Sequence, residues 1–293
     1  MVAPALGDVL GPRGRRRAQM ASVAALIAIG LVLFAALKRF ADAGELAWAK
    51  WEPLTQREVL GFFGGGLVQT LQSAAISLIL ACFFGMVLAL GRLSPILLIR
   101  TVTRAYIEFF RGFPLILLIV FSFFGLPELG IELTRFASVC LALVLYNSAV
   151  LGEIFRAGIL SLDRGQTEAA EAIGLRRGQS MRLVILPQSI RRMTPTIVSQ
   201  FVTLLKDTSL GFVIGYEELL RTGQIAGVFY KNELQALIVV ALMFLVVNFA
   251  LSRIARRLEI RQRRRYKADP IDVAAGPEDL VGVGLAATRA PND

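Results

Sequence analysis

Lys206 and Asp207 stand side by side inside an otherwise apolar stretch, followed at once by Thr208 and Ser209. Adjacent residues on a helix do not face each other, so at least one of these charges needs a partner from elsewhere. Lys206 can meet a carboxylate, and Asp207 with its hydroxyl neighbours can meet an α-amino group. The competing reading is that both pair with neighbouring helices and only hold a bundle together. Glu108 and Arg111 form a second set, three residues apart on one helical face, with Gly112-Phe113-Pro114 directly after. They read as a pair, either a structural clasp or a gate. Ionisable groups inside apolar spans are costly and usually functional. Glu153 and Arg156 lie near the end of another apolar run. Gln69, Asn147 and Gln200 are uncharged candidates for the same path, or for plain interhelical hydrogen bonds.

Several chemistries are excluded. The 293 residues contain no histidine, so the commonest metal ligand and the usual pH-switch side chain are missing. No GxxxxGK[ST] phosphate loop occurs, and Gly64-Gly65-Gly66 is not one, because no Lys-Ser/Thr follows it. Cys82 and Cys140 both fall in apolar runs and read as small core residues. More than half the chain, 55%, is apolar, and this marks an integral membrane protein. The net charge of +10 is clustered beside apolar runs. The positive-inside rule explains that arrangement better than nucleic-acid binding does.

The elements that must position these residues follow from the apolar runs. The expected fold is all-α, a polytopic membrane bundle of about six helices. Residues 1–17 are basic and rich in Gly and Pro, and read as disordered. Region 18–63 holds a first span and an outer connector. Its apolar run Ala18–Leu37 is long enough to cross a bilayer and reads as retained, although Ala41-Asp42-Ala43 resembles a signal-cleavage site. Trp48 and Trp51 in the connector suit a membrane interface. Region 64–252 is the core, entered through Gly64-Gly65-Gly66 as a flexible start. Its spans run at about 66–90, 105–124 (interrupted at Arg111–Pro114), 136–159, 189–214 and 234–252, with 216–233 as an outer loop. Region 253–293 is a basic inner tail with a disordered end. The proposed inner segments hold four, three, seven and nine Lys and Arg, against seven in all the outer segments, so both termini face the cytoplasm.

One cytoplasmic stretch is organised differently. Glu168-Ala169-Ala170 opens it, Gly174 follows, and Val184-Ile185-Leu186-Pro187 closes it, with arginines all around. Ala169, Ala170 and Ile173 read as one apolar stripe of a short amphipathic helix. Gly174 can end that helix in a left-handed conformation, and Pro187 suits the start of the next one. A short helix with a small-residue face fits a partner's groove.

This pattern, EAA, three residues, Gly, nine residues, Val-x-Leu-Pro, resembles the EAA loop of permease subunits of bacterial ABC importers, with Val184 where that family usually has Ile. EFFRGFPL (108–115), EIFRAGILSLDRGQTEAAEAIGL (153–175) and LLKDTSLGFVIG (204–215) resemble the polar amino-acid importers of that family, over about residues 65–230. KWEPL (50–54) is similar to actinobacterial glutamate permeases. The resemblance implies that loop 160–187 docks into an ATP-binding subunit, with Gly165, Gln166, Glu168, Ala169, Ala170, Gly174 and Pro187 as coupling residues. It implies a dimer of ATPase subunits holding ATP and Mg, a second permease subunit, and an extracytoplasmic amino-acid-binding protein, all at the bacterial plasma membrane. No cofactor is expected on this chain. Arg111, Lys206, Asp207, Thr208, Gln69 and Asn147 are the candidates for the substrate path, and Glu108, Pro114 and Glu153 for structure or gating. Two other classes stand beside this one. An ion-coupled carrier would use Lys206, Asp207 and Glu108 to relay protons, and a membrane scaffold would use the docking loop alone.

Overall fold

The computed structural model describes residues 11–267, and every regular element among them is helical. Five helices are long and apolar enough to cross a membrane, and a sharply bent pair makes a sixth if taken as one span. Contacts divide the chain into two units. One holds residues up to Phe63 with Thr222–Val240, and the other holds Gly64–Arg221 with the chain from Ala241 onward.

In the first unit, α1 runs Pro12–Asp42 with proline at its first turn, where the missing N–H costs nothing. Residues 12–17, expected to be disordered, are therefore helical; residues 1–10 lie outside the described residues. None of the apolar window of α1 is buried. After it the connector folds into α2 (Trp48–Trp51) and a 3₁₀ turn, Glu52–Thr55. Buried Asn232 donates to the Lys50 carbonyl at 2.8 Å, and buried Gln235 donates to the Glu45 carbonyl at 2.6 Å. The connector is thus tied down by amides rather than left loose.

Helix α3, Arg57–Arg92, continues straight through Gly64-Gly65-Gly66. The expected flexible entry is overturned, because a lipid-exposed backbone must satisfy its polar groups within the helix. In the second unit its small residues Ser73, Ala74, Ser77, Ala81 and Ala89 are fully buried. Gly85 marks the tightest approach: a Cβ there would sit 2.9 Å from Leu151 Cβ and 3.1 Å from the Ser148 carbonyl oxygen. Leu151 and Ser148 belong to α6, Arg135–Leu160, which is capped by Thr134 Oγ1 accepting from Ala137 N at 3.2 Å and is the most buried span.

The third span breaks at Pro114, inside the expected interruption Arg111–Pro114. It is α4 (Leu97–Gly112) and α5 (Leu115–Val120, extended by a π turn to Gly125), bent by 101°. Pro114 has no N–H and pushes Phe113 to an extended backbone, φ −87° and ψ 133°, so α4 must stop at Gly112. The start is earlier than expected, since most of 91–104 is helix.

Helices α7 (Arg164–Ala172) and α8 (Arg177–Ser180) follow α6. A π turn, Met181–Ile185, then leads without a break into α9, Leu186–Asp207, and a 3₁₀ segment to Ile214. Pro187 therefore lies inside a continuous helical run from Arg177, not at the start of a new helix at 189. The π turn directly before it shifts the hydrogen-bond ladder where the proline has no donor to offer.

The expected outer loop 216–233 is largely helical as α10, Leu219–Tyr230. The last helix, α11, runs Glu233–Lys267, so the basic tail to 267 continues the sixth span; the end, 268–293, lies outside the described residues. The second unit's core packs α3, α5, α6 and α9 around Leu118, Ile119, Val139, Leu143, Leu204 and Leu205.

Candidate coupling helix and polar path

The EAA segment is built by two ends. Asp163 caps the start of α7, its Oδ1 accepting from Gly165 N at 2.8 Å. At the other end Leu175 N donates to the Ala170 carbonyl at 3.1 Å and Gly174 N to Glu171 O at 2.9 Å, around Gly174 at φ +83°. A Cβ on Gly174 would meet nothing within 4 Å, so the backbone conformation alone calls for glycine. Pro187 sits 13 positions on, at the top of α9.

The expected stripe of Ala169, Ala170 and Ile173 is split. Ala170 is buried, while Ala169 is exposed and Ile173 is 77% exposed. Successive helical residues differ by about 100°, so Ala170 turns away from Ala169, whereas Ile173 returns beside it. Gly165, Ala169, Ala172 and Ile173 thus form one uncovered face of small residues and a single isoleucine, flanked by exposed Glu168 and Glu171. Gln166, at the edge of that face, accepts from Gln188 Nε2 at 2.9 Å. Next to it lies an open basic depression of about 640 Å³ lined by Arg176, Gly178, Gln179, Arg182 and Leu183.

Glu108 does not pair with Arg111. It takes Arg104 Nε at 2.6 Å, both side chains more than half exposed. The earlier start of α4 supplies Arg104 as an i−4 neighbour that the expected span did not contain. Arg111 instead adds its field to that at Glu153. Glu153 holds Arg156 at 2.9 Å on its own helix and Arg92 of α3 at 3.3 Å. One carboxylate therefore gathers charge from α3, α4 and α6 at the arginine-rich end of the bundle. Pro114 shapes the break above it.

The polar candidates are not brought into one cluster. Fully buried Asn147 accepts from Gln200 Nε2 at 2.9 Å and donates to the Leu143 carbonyl. Gln69 accepts from the Tyr216 hydroxyl at its carbonyl, 3.0 Å, and at its side chain, 3.3 Å. Thr208 is buried and bonds back to Leu205 O at 2.8 Å. Asp207 is half-buried and Lys206 exposed.

Lys206 ends a row that the sequence reading missed. Arg192, Thr196, Ser199, Thr203 and Lys206 are all exposed, with alternating four- and three-residue spacing along α9. That spacing in an apolar run was the available signal. A polar row on a span does not face lipid tails, and so faces water or protein.

Glu218 was also missed. It is fully buried, and its carboxylate oxygens accept from Leu220 N at 2.9 Å and Arg221 N at 2.8 Å, capping α10. Burial pushes its carboxyl up to about 7. Leu219 N meanwhile donates to buried Thr70 Oγ1 at 3.1 Å.

A polytopic bundle carrying a short helix with an uncovered small-residue face is the form of a transporter's membrane subunit. The chain belongs to the family described as "Binding-protein-dependent transport system inner membrane component", matched over residues 81–264. It is 43% identical over 213 residues to a probable glutamine ABC transporter permease protein of Bacillus subtilis, covering 70% of this chain and 96% of the relative. It is 40% identical over 239 residues to a glutamate transport system permease protein of Corynebacterium glutamicum, covering 80% and 87%. A crystal structure of an amino acid ABC transporter with histidines superposes with TM-score 0.66 at 31% identity, over 72% of this chain and 97% of that one. Membership makes it a polar amino-acid ABC importer permease in the bacterial plasma membrane, and decides against the ion-coupled carrier and the scaffold.

Proposed function

We propose that this chain forms one half of the translocation path of an importer for glutamate or a closely related amino acid, driven by an ATPase docked on α7. The observation that carries it is the uncovered face of Gly165, Ala169, Ala172 and Ile173 on a helix fixed at both ends. Glutamine and glutamate in the relatives' names support the substrate class. Core 64–252 carries the path, and loop 160–187 the dock. Lys206, exposed at the end of the polar row of α9, attracts the substrate carboxylate, and Asp207 beside it serves the amino group; Arg111 adds positive charge at the arginine-rich end, and Thr208, Gln69 and Asn147 brace the helices. Glu108, Pro114 and Glu153 set the shape of the inner mouth. In this reading the chain has no catalytic residue and holds no cofactor. ATP and Mg bind the dimeric partner, a second permease, identical or related, completes the path, and an extracytoplasmic binding protein delivers substrate.

The test is coexpression with candidate ATPase and permease partners in proteoliposomes. The readout is ATP hydrolysis stimulated by binding protein across a panel of amino acids. Stimulation by glutamate or a relative is expected. A chain that recruits no ATPase and moves solute alone would overturn the reading.

A further inference from the structure

We propose that Gln188 and Arg192 are positioning residues for coupling: they clamp α7 and the end of α6 to α9, so that displacement of the docked helix reaches the polar row of α9. The proposal rests on the reading of α7 as the ATPase dock.

Three contacts make the clamp. Gln188 Nε2 donates to Gln166 Oε1 at 2.9 Å, joining α9 to α7 itself. Arg192 Nη1 donates to the Ser161 carbonyl at 2.8 Å, joining α9 to the residue that ends α6 and begins the docking loop. One residue beyond Arg192, Met193, 5% exposed, fills the notch left by Gly158, where any side chain would collide with its sulfur. Gln188 and Arg192 are four residues apart and lie on one side of α9, one bond to each end of the turn that presents α7.

The chain distal to the clamp is one helical run, with Pro195 inside it as the one point where a backbone donor is missing. From Gln188 to Gln200 α9 rises roughly 18 Å, and to Lys206 roughly 27 Å, at the standard helical rise. Gln200 is locked to buried Asn147, and Lys206 closes the polar row. A push on α7 therefore has a short bonded route into one continuous helix. The covalent route through α8 is longer, and it passes Gly174 in a left-handed turn and the π turn Met181–Ile185. Those two irregular points can absorb a displacement that the clamp passes on.

The test uses the assembled complex, with ATPase and binding protein, in proteoliposomes. It measures amino acid transported per ATP hydrolysed, alongside copurification of the ATPase. Gln188→Leu and Arg192→Met remove each donor and should each lower that ratio by about fivefold while the ATPase still copurifies, within the range seen for coupling residues. Gln188→Glu and Arg192→Lys should restore it, because the Gln166 amide can turn and donate to a carboxylate, and lysine still donates to the Ser161 carbonyl. An unchanged ratio in both the Leu and Met variants would overturn the clamp. So would loss of the ATPase from those variants, which would assign the residues to docking. A wild-type chain that recruits no ATPase at all would sink the function proposed above, a separate failure visible before any variant is made.

Discussion

Gln200 on α9 donates to the Oδ1 of Asn147 on α6 at 2.9 Å, and Asn147 itself is fully buried. A side-chain pair of this kind inside a membrane bundle joins two spans without using charge. Replacing Asn147 with leucine strands the Gln200 amide and should destabilise the bundle by about 1 kcal/mol. Denaturation in detergent measures it. In a double-mutant cycle with Gln200→Leu, a coupling of about 0.6 kcal/mol is expected; strict additivity would show that the bond contributes nothing.

Two glycines of α3 should respond with opposite signs. Gly85 faces Leu151 Cβ at 2.9 Å and the Ser148 carbonyl at 3.1 Å, so Gly85→Val overpacks the α3–α6 crossing and costs about 1–3 kcal/mol. Gly64 lies inside the same helix with open space around it, and Gly64→Ala should stabilise by up to about 1 kcal/mol. Thermal unfolding of the two variants against wild type decides the matter.

Coupling should fail without unfolding when the docking face is altered. Gly174→Val forces a β-branched residue to φ +83°, a local cost of roughly 1–2 kcal/mol or more. Ala169→Arg covers the exposed face. Each should leave membrane insertion intact and reduce uptake by about tenfold. Inserted protein with normal uptake refutes the role.

Glu218 predicts a pH dependence. Its buried carboxyl titrates at about 7, above its ordinary 4.5, so the folded chain binds a proton there that the unfolded chain releases. Stability from this group is present below about pH 4.5 and is lost as pH rises through 7. The shift corresponds to a change on the order of 3 kcal/mol. Glu218→Gln removes the titration, so the stability difference between variant and wild type should widen in favour of Gln from pH 5 to 8. A flat difference across that range contradicts it.

The two carboxylates near the arginine-rich end should not be equal. Glu153→Ala leaves Arg92 and Arg156, both partly buried, without their counter-charge and should cost about 2 kcal/mol. Arg104→Ala breaks a pair that is mostly in solvent and should leave stability nearly unchanged. Chemical denaturation of both variants compares them directly.

The spans were legible because apolar runs of 20 or so residues have few other uses, and the α4–α5 break was legible because Pro114 cannot donate. Helical starts were less so. α4 begins eight residues before the apolar run, since Arg100 and Arg104 are good helix formers that hydropathy counts against. The missed start also hid the partner of Glu108. Gly64-Gly65-Gly66 misled for a related reason: local flexibility yields to the requirement that backbone groups be satisfied within lipid. In the candidate site, the cap at Asp163 and the turn at Gly174 follow from residue type. The burial of Ala170 depends on which later segment packs over α7, and the clamp of Gln188 on Gln166 spans 22 residues, so neither has a local signature.

Met193 fits its sulfur into the notch at Gly158 and is 5% exposed. A sulfoxide oxygen would be both polar and too large for that space, so the closed contact protects the thioether from peroxide. The reaction would proceed only while α6 and α9 stand apart. The rate at which Met193 oxidises thus becomes a chemical clock for the opening of these two helices, readable by mass spectrometry without any label.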